Sequence, residues 1–198
     1  VIPAIESVHK IFPETIISVD TFYAKVAKEA VQAGASIIND ISAGSLDEAL
    51  IDVVASLNVP YVLMHMQGTP QTMQNRPYYE DVCREVLDFL IQKIALLKDK
   101  GVKDIIIDTG FGFGKTAAHN FTLLKNLELF KMFDRPLLLG VSRKGFIYRT
   151  LGTDAEKALN GTTVLNTIGL VHGANILRVH DVKQAVEAIR LTGVIYPY

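Results

Sequence analysis

Six short apolar runs recur along the chain, and each ends in a cluster of polar or glycine residues before a helix-like stretch begins. The runs cover residues 16–19, 36–38, 61–63, 104–107, 136–141 and 176–179. They are rich in Ile, Val and Leu with little alternation, which predicts strands buried on both faces of a parallel sheet. Because the strands of a parallel sheet share one carboxyl-terminal edge, we expect the functional side chains at that edge.

Helical patterns separate these runs. We expect helices over residues 1–12, 22–33, 46–57, 79–100, 119–133, 153 to about 172, and 181–191, the sixth opening with a capping box of Thr153 and Glu156. The alternation predicts an α/β fold with right-handed crossovers. The pattern leaves open a doubly wound sheet and a (β/α)₈ barrel, which would need two further strands. No linker interrupts residues 1–198, which predicts one domain.

The composition excludes several classes of function. The net charge is −1 without a basic stripe, which argues against a nucleic-acid partner. No apolar stretch has the length needed to cross a membrane, so we expect no membrane association. The single cysteine, Cys83, cannot form an intrachain disulfide, and this predicts a reducing, cytoplasmic location.

The glycine-rich segment 108–115 is the sharpest local motif. It fails as a phosphate-binding P-loop, because Thr109 stands where the first glycine is required. It also fails as a dinucleotide fingerprint, because Ser142 and Arg143 stand where an acidic residue is expected after the next strand. Asp108 directly before three glycines therefore indicates a different ligand-binding loop, with a simple tight turn as the alternative.

Polar residues that follow three of the runs predict a ligand. Asp20, Asn39 and Asp108 supply two carboxylates and an amide, a set that suits the hydrogen-bonding edge of a planar nitrogen heterocycle. For Asp20 and Asn39 the alternative is helix N-capping.

Cationic clusters follow the last two runs. Ser142-Arg143-Lys144 and Arg178-Val179-His180 predict an anion site, with solvated surface charge as the alternative. Arg178 is interpreted as lying inside a strand, where its charge would need an anion or a carboxylate as partner. His65 is interpreted as a core or supporting residue, and no cluster of zinc ligands is visible.

Together these motifs resemble the dihydropteroate synthase family of pterin-binding enzymes. The resemblance spans the chain and rests on six motifs in the family's order: Ser18-Val19-Asp20-Thr21, Ile38-Asn39-Asp40, Met64-His65-Met66-Gln67-Gly68-Thr69-Pro70, residues 108–115, Gly140-Val141-Ser142-Arg143-Lys144, and Leu177-Arg178-Val179-His180-Asp181. It implies a (β/α)₈ TIM barrel of which this chain contains only the last six βα units. It also implies condensation of 6-hydroxymethyl-7,8-dihydropterin diphosphate with p-aminobenzoate in folate biosynthesis.

The resemblance also implies roles for individual residues. Asp20, Asp108 and Lys144 would be catalytic, Arg178 and His180 would bind the diphosphate, and Phe113, Lys144 and Gly145 would bind p-aminobenzoate. The pterin would contact Asp20, Asn39, Met64, Asp108, Phe113 and Lys144. Mg²⁺ is expected on the diphosphate, with no metal ligand from this chain, and the family implies a homodimer and a sulfonamide target.

Departures from the family pattern leave other functions open. The family's first two βα units are expected to be absent, Gly145 replaces a usual Ser that contacts the aminobenzoate carboxylate, and Thr109 replaces a usual Pro. The alternatives are a pterin-binding domain of the methyltetrahydrofolate methyltransferase type and a non-catalytic pterin-binding module.

Overall fold

The computed structural model describes residues 1–197 and has the predicted α/β architecture. Within that range six strands form one sheet in the order in which they occur along the chain. They are β1 Ser18–Asp20, β2 Ile37–Asp40, β3 Tyr61–Met64, β4 Ile105–Asp108, β5 Leu137–Leu139 and β6 Ile176–Leu177. The pairs β1–β2, β2–β3 and β5–β6 are parallel, as the apolar runs predicted.

The observed helices follow the predicted pattern with local differences. They are α1 Ile2–Ile11, α2 Ala24–Gln32, α3 Leu50–Leu57, α4 Val82–Asp99, α5 Ala117–Lys125, α6 Gly145–Thr150, α7 Leu159–Val171 and α8 Val182–Ile195, with a 3-10 helix at Leu127–Phe133. Residues 1–197 include no helix that is both long and apolar enough to span a membrane.

The capping-box prediction at Thr153 and Glu156 is wrong. Thr153 lies in a bend and Glu156 in a turn, and α7 begins only at Leu159. Asp154 accepts a hydrogen bond from the backbone N–H of Lys157 at 3.0 Å, which closes a local turn instead of starting a helix. A side chain that satisfies nearby backbone groups in this way favours a turn over a helix.

The first compact unit comprises residues 1–65 and 88–107. Its core contains Ile38, Leu50, Tyr61 and Leu63, none of which has measurable exposure. Burial of each such side chain contributes about 1.5–3 kcal/mol, so the short strands are stabilised by packing more than by their own length. α2 packs against α3 in this unit.

The second compact unit comprises residues 66–87 and 108–197 of the described chain. Its core contains Phe111, Leu127, Phe130 and Leu139, all fully buried. α7 packs against α8, and α5 packs against both α6 and α7. These contacts fix the loops that follow β4, β5 and β6, which carry most of the predicted site residues.

Candidate active site

In the first unit, Asp20 and Asn39 lie side by side at the carboxyl ends of their strands. The sheet register pairs Asp20 with Asn39 directly. Asp20 is exposed, whereas Asn39 is buried. Neither residue caps a helix, because the N-caps of α2 and α3 are Tyr23 and Ala49. The helix-capping alternative for these two residues is therefore wrong.

The neighbouring carboxylate of Asp40 is structural. It is fully buried and accepts hydrogen bonds from the Ser42 N–H, the Ser42 hydroxyl, the Gly44 N–H and the Tyr61 hydroxyl, all at 2.7 Å. Burial, followed by the nearby Asp40 charge, raises the pKa of Tyr61 well above its usual value, so this hydroxyl stays a donor. Four donors satisfy the carboxylate, which explains how it persists in the core.

The apolar wall predicted at Met64 lies at the end of β3. Met64 is buried, and so is the following His65. The imidazole of His65 packs edge-on against the ring of Phe89 with 4.9 Å between ring centres. The interpretation of His65 as a core residue is thus confirmed by its burial and packing.

In the second unit, Asp108 ends β4 as a buried carboxylate. Its Oδ1 accepts a hydrogen bond from the Gly110 N–H at 2.7 Å. Burial raises the pKa of Asp108, and the positive charges of Lys144, Lys115 and Arg178 oppose that rise together with the Gly110 hydrogen bond. A buried carboxylate with cations nearby can accept hydrogen bonds from a polar ring or stabilise a developing positive charge.

Lys115 holds the glycine-rich loop from beneath. Its side chain is 4% exposed, and its Nζ donates to the carbonyls of Gly110 at 3.0 Å and Phe113 at 3.1 Å. Gly110, Gly112 and Gly114 all adopt positive φ angles, which glycine reaches without strain. Burial lowers the pKa of Lys115 to about 7, despite the attraction of Asp108.

Polar side chains from two other segments fix the same loop. Asn120 accepts from the Gly112 N–H at 2.7 Å and donates to the Thr116 carbonyl at 2.7 Å. Gln74 donates to the Gly112 carbonyl, and the Tyr79 hydroxyl donates to the Gly114 carbonyl, each at 2.9 Å. These hydrogen bonds fix the backbone of the loop, and its interpretation as a ligand-binding loop stays a prediction.

Lys144 reaches this loop from the start of α6. Its ammonium donates to the Phe111 carbonyl and lies 4.6 Å from the centre of the Phe113 ring. A Cβ on Gly112 would lie 3.0 Å from Lys144 Cδ, so glycine there allows the close approach. Burial lowers the pKa of Lys144 to about 8, with Asp108 opposing the effect and Arg178 adding to it.

A cavity of about 240 Å³ lies between the loops after β5 and β6. We call it the cation-lined cavity, and its walls are Gly140, Ser142, Lys144, Arg178, Val179 and His180. The hydroxyl of Ser142 lies 2.8 Å from His180 Nδ1 and accepts a hydrogen bond from the backbone N–H of His180 at 3.2 Å. The anion site predicted from these residues thus has a concave, cationic form.

The interpretation of Arg178 as a strand-interior charge is wrong. β6 ends at Leu177, and the side chain of Arg178 is exposed. Only the backbone continues the ladder, since the Arg178 N–H donates to the Leu139 carbonyl at 2.9 Å. The short strand leaves the guanidinium on the wall of the cavity, where its charge interacts with the buried carboxylate of Asp108.

Arg143 joins the loops that frame this cavity. Its Nε and Nη2 donate to the two carboxylate oxygens of Asp181 at 2.8 and 2.7 Å, and its Nη1 donates to the carbonyls of Ala155 and Glu156. Its backbone has φ +52°, a left-handed conformation unusual for arginine. Hydrogen bonding to Arg143 lowers the pKa of Asp181.

A second cavity, of about 460 Å³, is also lined by Lys144. We call it the loop cavity; its walls include Gln74, Phe113, Lys144, Gly145 and Arg149. The predicted p-aminobenzoate residues Phe113, Lys144 and Gly145 are therefore brought together. Lys144 borders both cavities, so one ammonium can contact ligands in each.

Comparisons with known proteins agree with this geometry. The family model described as "Pterin binding enzyme" matches residues 1–180. Dihydropteroate synthase of Escherichia coli K12 is 44% identical over 193 residues, covering 96% of this chain and 68% of that relative. The chain belongs to the dihydropteroate synthase family.

Solved structures of dihydropteroate synthases also support membership of this family. Dihydropteroate synthase from Stenotrophomonas maltophilia with active-site-bound imidazole superposes with a TM-score of 0.96 at 40% identity, covering all of this chain and 75% of that one. The Xanthomonas albilineans enzyme with 4-aminobenzoic acid gives 0.92 at 37% identity, covering 100% and 71%. The Yersinia pestis enzyme with a sulfonamide drug gives 0.95 at 36%, covering 98% and 71%.

Three features of this dihydropteroate synthase family member were missed from the sequence. They are the Arg143–Asp181 pair, the Lys115 support and the position of Arg149 in the loop cavity. The spacing of four residues between Gly145 and Arg149 on one helix was the available signal for the last. Within residues 1–197, no group of three or more His, Cys, Asp or Glu side chains is arranged to hold a metal ion.

Proposed function

We propose that this protein condenses 6-hydroxymethyl-7,8-dihydropterin diphosphate with p-aminobenzoate, yielding 7,8-dihydropteroate and diphosphate in folate biosynthesis. Membership of the dihydropteroate synthase family supports this activity. The observation that carries it is the meeting of a buried carboxylate, Asp108, with Lys144 and Arg178 beside the cation-lined cavity. This arrangement suits a substrate with a polar ring and an anionic leaving group.

The pterin ring is assigned to six residues at the strand ends and in the loops that follow them. The buried carboxylate of Asp108 accepts hydrogen bonds from the ring's N–H edge, and Lys144 donates to the ring's acceptors. In the first unit, Asp20 and Asn39 offer a carboxylate and an amide from adjacent strand ends. Met64 and Phe113 supply the apolar contacts.

The chemistry is a substitution at the methylene carbon of the pterin. The carbon–oxygen bond to the diphosphate breaks, a carbon–nitrogen bond to the amine of p-aminobenzoate forms, and the amine's proton leaves to solvent or to the released diphosphate. Positive charge develops on the methylene and ring as the leaving group departs, and Asp108 and Asp20 stabilise it. Since Lys144 has a pKa of about 8, it remains largely protonated at neutral pH.

The diphosphate is assigned to the cation-lined cavity. Arg178 and His180 contact its oxygens, and Ser142 fixes the imidazole of His180 through the 2.8 Å hydrogen bond. Guanidinium groups match the geometry of phosphate oxygens well. Mg²⁺ is proposed to arrive on the diphosphate as part of the substrate, where it would neutralise charge on the leaving group.

p-Aminobenzoate is assigned to the loop cavity, against Phe113, Lys144 and Gly145. Sulfonamides, which share the para-substituted aniline, are proposed to compete there. This assignment places the amine next to Lys144, which borders the cavity that holds the leaving group.

The strand order and the high structural similarity support a (β/α)₈ barrel in which these six units correspond to the last six, with residues 1–198 as one domain.

A homodimer is also proposed. Val164 and Ile168 on α7, together with Val186 and Ile189 on α8, are exposed apolar side chains on helices that pack together. Exposed apolar patches of this kind mark interaction surfaces. A cytoplasmic location and the absence of a nucleic-acid partner stay predictions.

The activity is tested by incubating the full-length protein with both substrates and Mg²⁺. We expect diphosphate and dihydropteroate to appear in equal amounts, and omission of either substrate to abolish both products. Methyl transfer from methyltetrahydrofolate without diphosphate release would favour the methyltransferase alternative. Pterin binding without turnover of any kind would favour the non-catalytic module.

A further inference from the structure

In the loop cavity, the guanidinium of Arg149 lies against Gly145, a residue that has no side chain. Arg149 Nε donates to the Gly145 carbonyl at 3.0 Å, one helical turn away. A Cβ built on Gly145 would lie 2.4 Å from Arg149 Nη2 and 2.9 Å from its Cζ. The guanidinium therefore occupies the space that any side chain at position 145 would fill.

The other cations of this cavity already contact backbone carbonyls of the glycine-rich loop. Lys115 donates to two backbone carbonyls, and Lys144 donates to the Phe111 carbonyl and faces the Phe113 ring. Arg149 donates a hydrogen bond within the protein only through Nε, and its Cζ lies 5.8 Å from the centre of the Tyr148 ring. Among residues 1–197 no carboxylate forms an ion pair with it. Its two terminal nitrogens keep their N–H donors for a ligand, in a planar fork that fits a carboxylate.

We propose that Arg149 binds the carboxylate of p-aminobenzoate and selects it over uncharged para-substituted anilines. This inference rests on the proposed function and adds the group that recognises the far end of the second substrate. Gly145 contributes to this recognition, because the lack of a side chain leaves room for the guanidinium to lie against the start of α6. The aromatic ring of the substrate then lies between this anchor and Lys144, with its amine directed away from Arg149.

The test compares Arg149→Gln with the wild type in the full-length protein. Glutamine keeps a polar chain of similar length but removes the charge, and Arg190→Gln on α8 is the matched control, because Arg190 is exposed and outside the cavity. Calorimetry measures binding of p-aminobenzoate and of the neutral probe p-aminobenzamide, and steady-state kinetics separates KM from kcat.

We expect Arg149→Gln to weaken p-aminobenzoate binding and to raise its KM by about tenfold, the range of a charge-assisted hydrogen bond at a partly exposed site. Affinity for p-aminobenzamide and kcat should stay within about twofold, and the control should match the wild type. Equal weakening for both anilines, or unchanged p-aminobenzoate affinity, would overturn the proposal.

A second variant addresses the role of Gly145. Gly145→Ser should displace the guanidinium, so Arg149→Gln should have a smaller effect on p-aminobenzoate binding in that background than alone. Equal effects in both backgrounds would contradict the coupling. Calorimetry measures the affinity for p-aminobenzoate without turnover. A wrong role for Arg149 would therefore appear as unchanged affinity in the variant, whereas failure of the proposed function would appear as an inactive wild type.

Discussion

Replacement of the buried Lys115 by methionine should change how stability depends on pH. The pKa of Lys115 in the folded protein is about 7, against an ordinary value of 10.5. Between these values the unfolded chain keeps a proton that the folded protein has lost, so the free energy of unfolding rises with pH in this window. Below about pH 7 both states are protonated and the contribution is constant.

The magnitude follows from one proton per molecule. A single group contributes a slope of up to about 1.4 kcal/mol per pH unit, so the full window is worth on the order of 5 kcal/mol. Coupling to Asp108, Lys144 and His119, which face Lys115, will reduce this figure. We expect the wild type to gain about 1 kcal/mol per pH unit over Lys115→Met between pH 7.5 and 9.

Urea unfolding at half-unit pH intervals measures the effect. The difference between wild type and variant cancels groups that act in the opposite direction at high pH, such as Cys83 and Tyr79, whose pKa values burial raises. Lys183→Met, an exposed lysine on α8, is the matched control and should run parallel to the wild type. Parallel curves for Lys115→Met as well would show that Lys115 titrates normally in the folded protein and that its pKa is not lowered.

Three further variants test the site. Asp108→Asn should weaken pterin binding about ten- to a hundredfold in calorimetry, since a buried charge-assisted contact is worth about 1.5–3 kcal/mol; unchanged affinity would remove Asp108 from the site. Thr109→Val should stabilise the fold by about 1 kcal/mol in urea unfolding, because the Thr109 hydroxyl is buried and has no hydrogen-bond partner in residues 1–197; lower stability would show that the hydroxyl is satisfied. Arg143→Lys should weaken diphosphate affinity by loosening the contact with Asp181. A double-mutant cycle with Asp181→Asn should show that the two effects on affinity are coupled; independent effects would show that the Arg143–Asp181 contact does not support the diphosphate site.

The strands and their polar ends could be predicted from sequence because both depend on local patterns. β4 is a fully buried apolar run that ends on Asp108 within one residue of the predicted boundary. The glycines of the following loop could likewise be expected to adopt positive φ angles, since few other residues do so without strain.

Long-range pairings could not be predicted in the same way. Arg143 and Asp181 lie 38 positions apart, and only the packing of the two loops brings their side chains within 2.7 Å. The exposure of Arg178 depends on β6 ending after two residues, which an apolar run of four did not indicate. At Thr153, capping-box spacing was present, but Asp154 stabilised a turn instead.

The most direct test of the central claim is the affinity of Arg178→Ala for two pterin ligands. Calorimetry on the full-length protein compares the pterin diphosphate with the corresponding pterin alcohol, which lacks the anion. Because Arg178 lines the cation-lined cavity, we expect at least a tenfold loss of affinity for the diphosphate and little change for the alcohol. Equal losses for both ligands would contradict it and would assign Arg178 to supporting the fold.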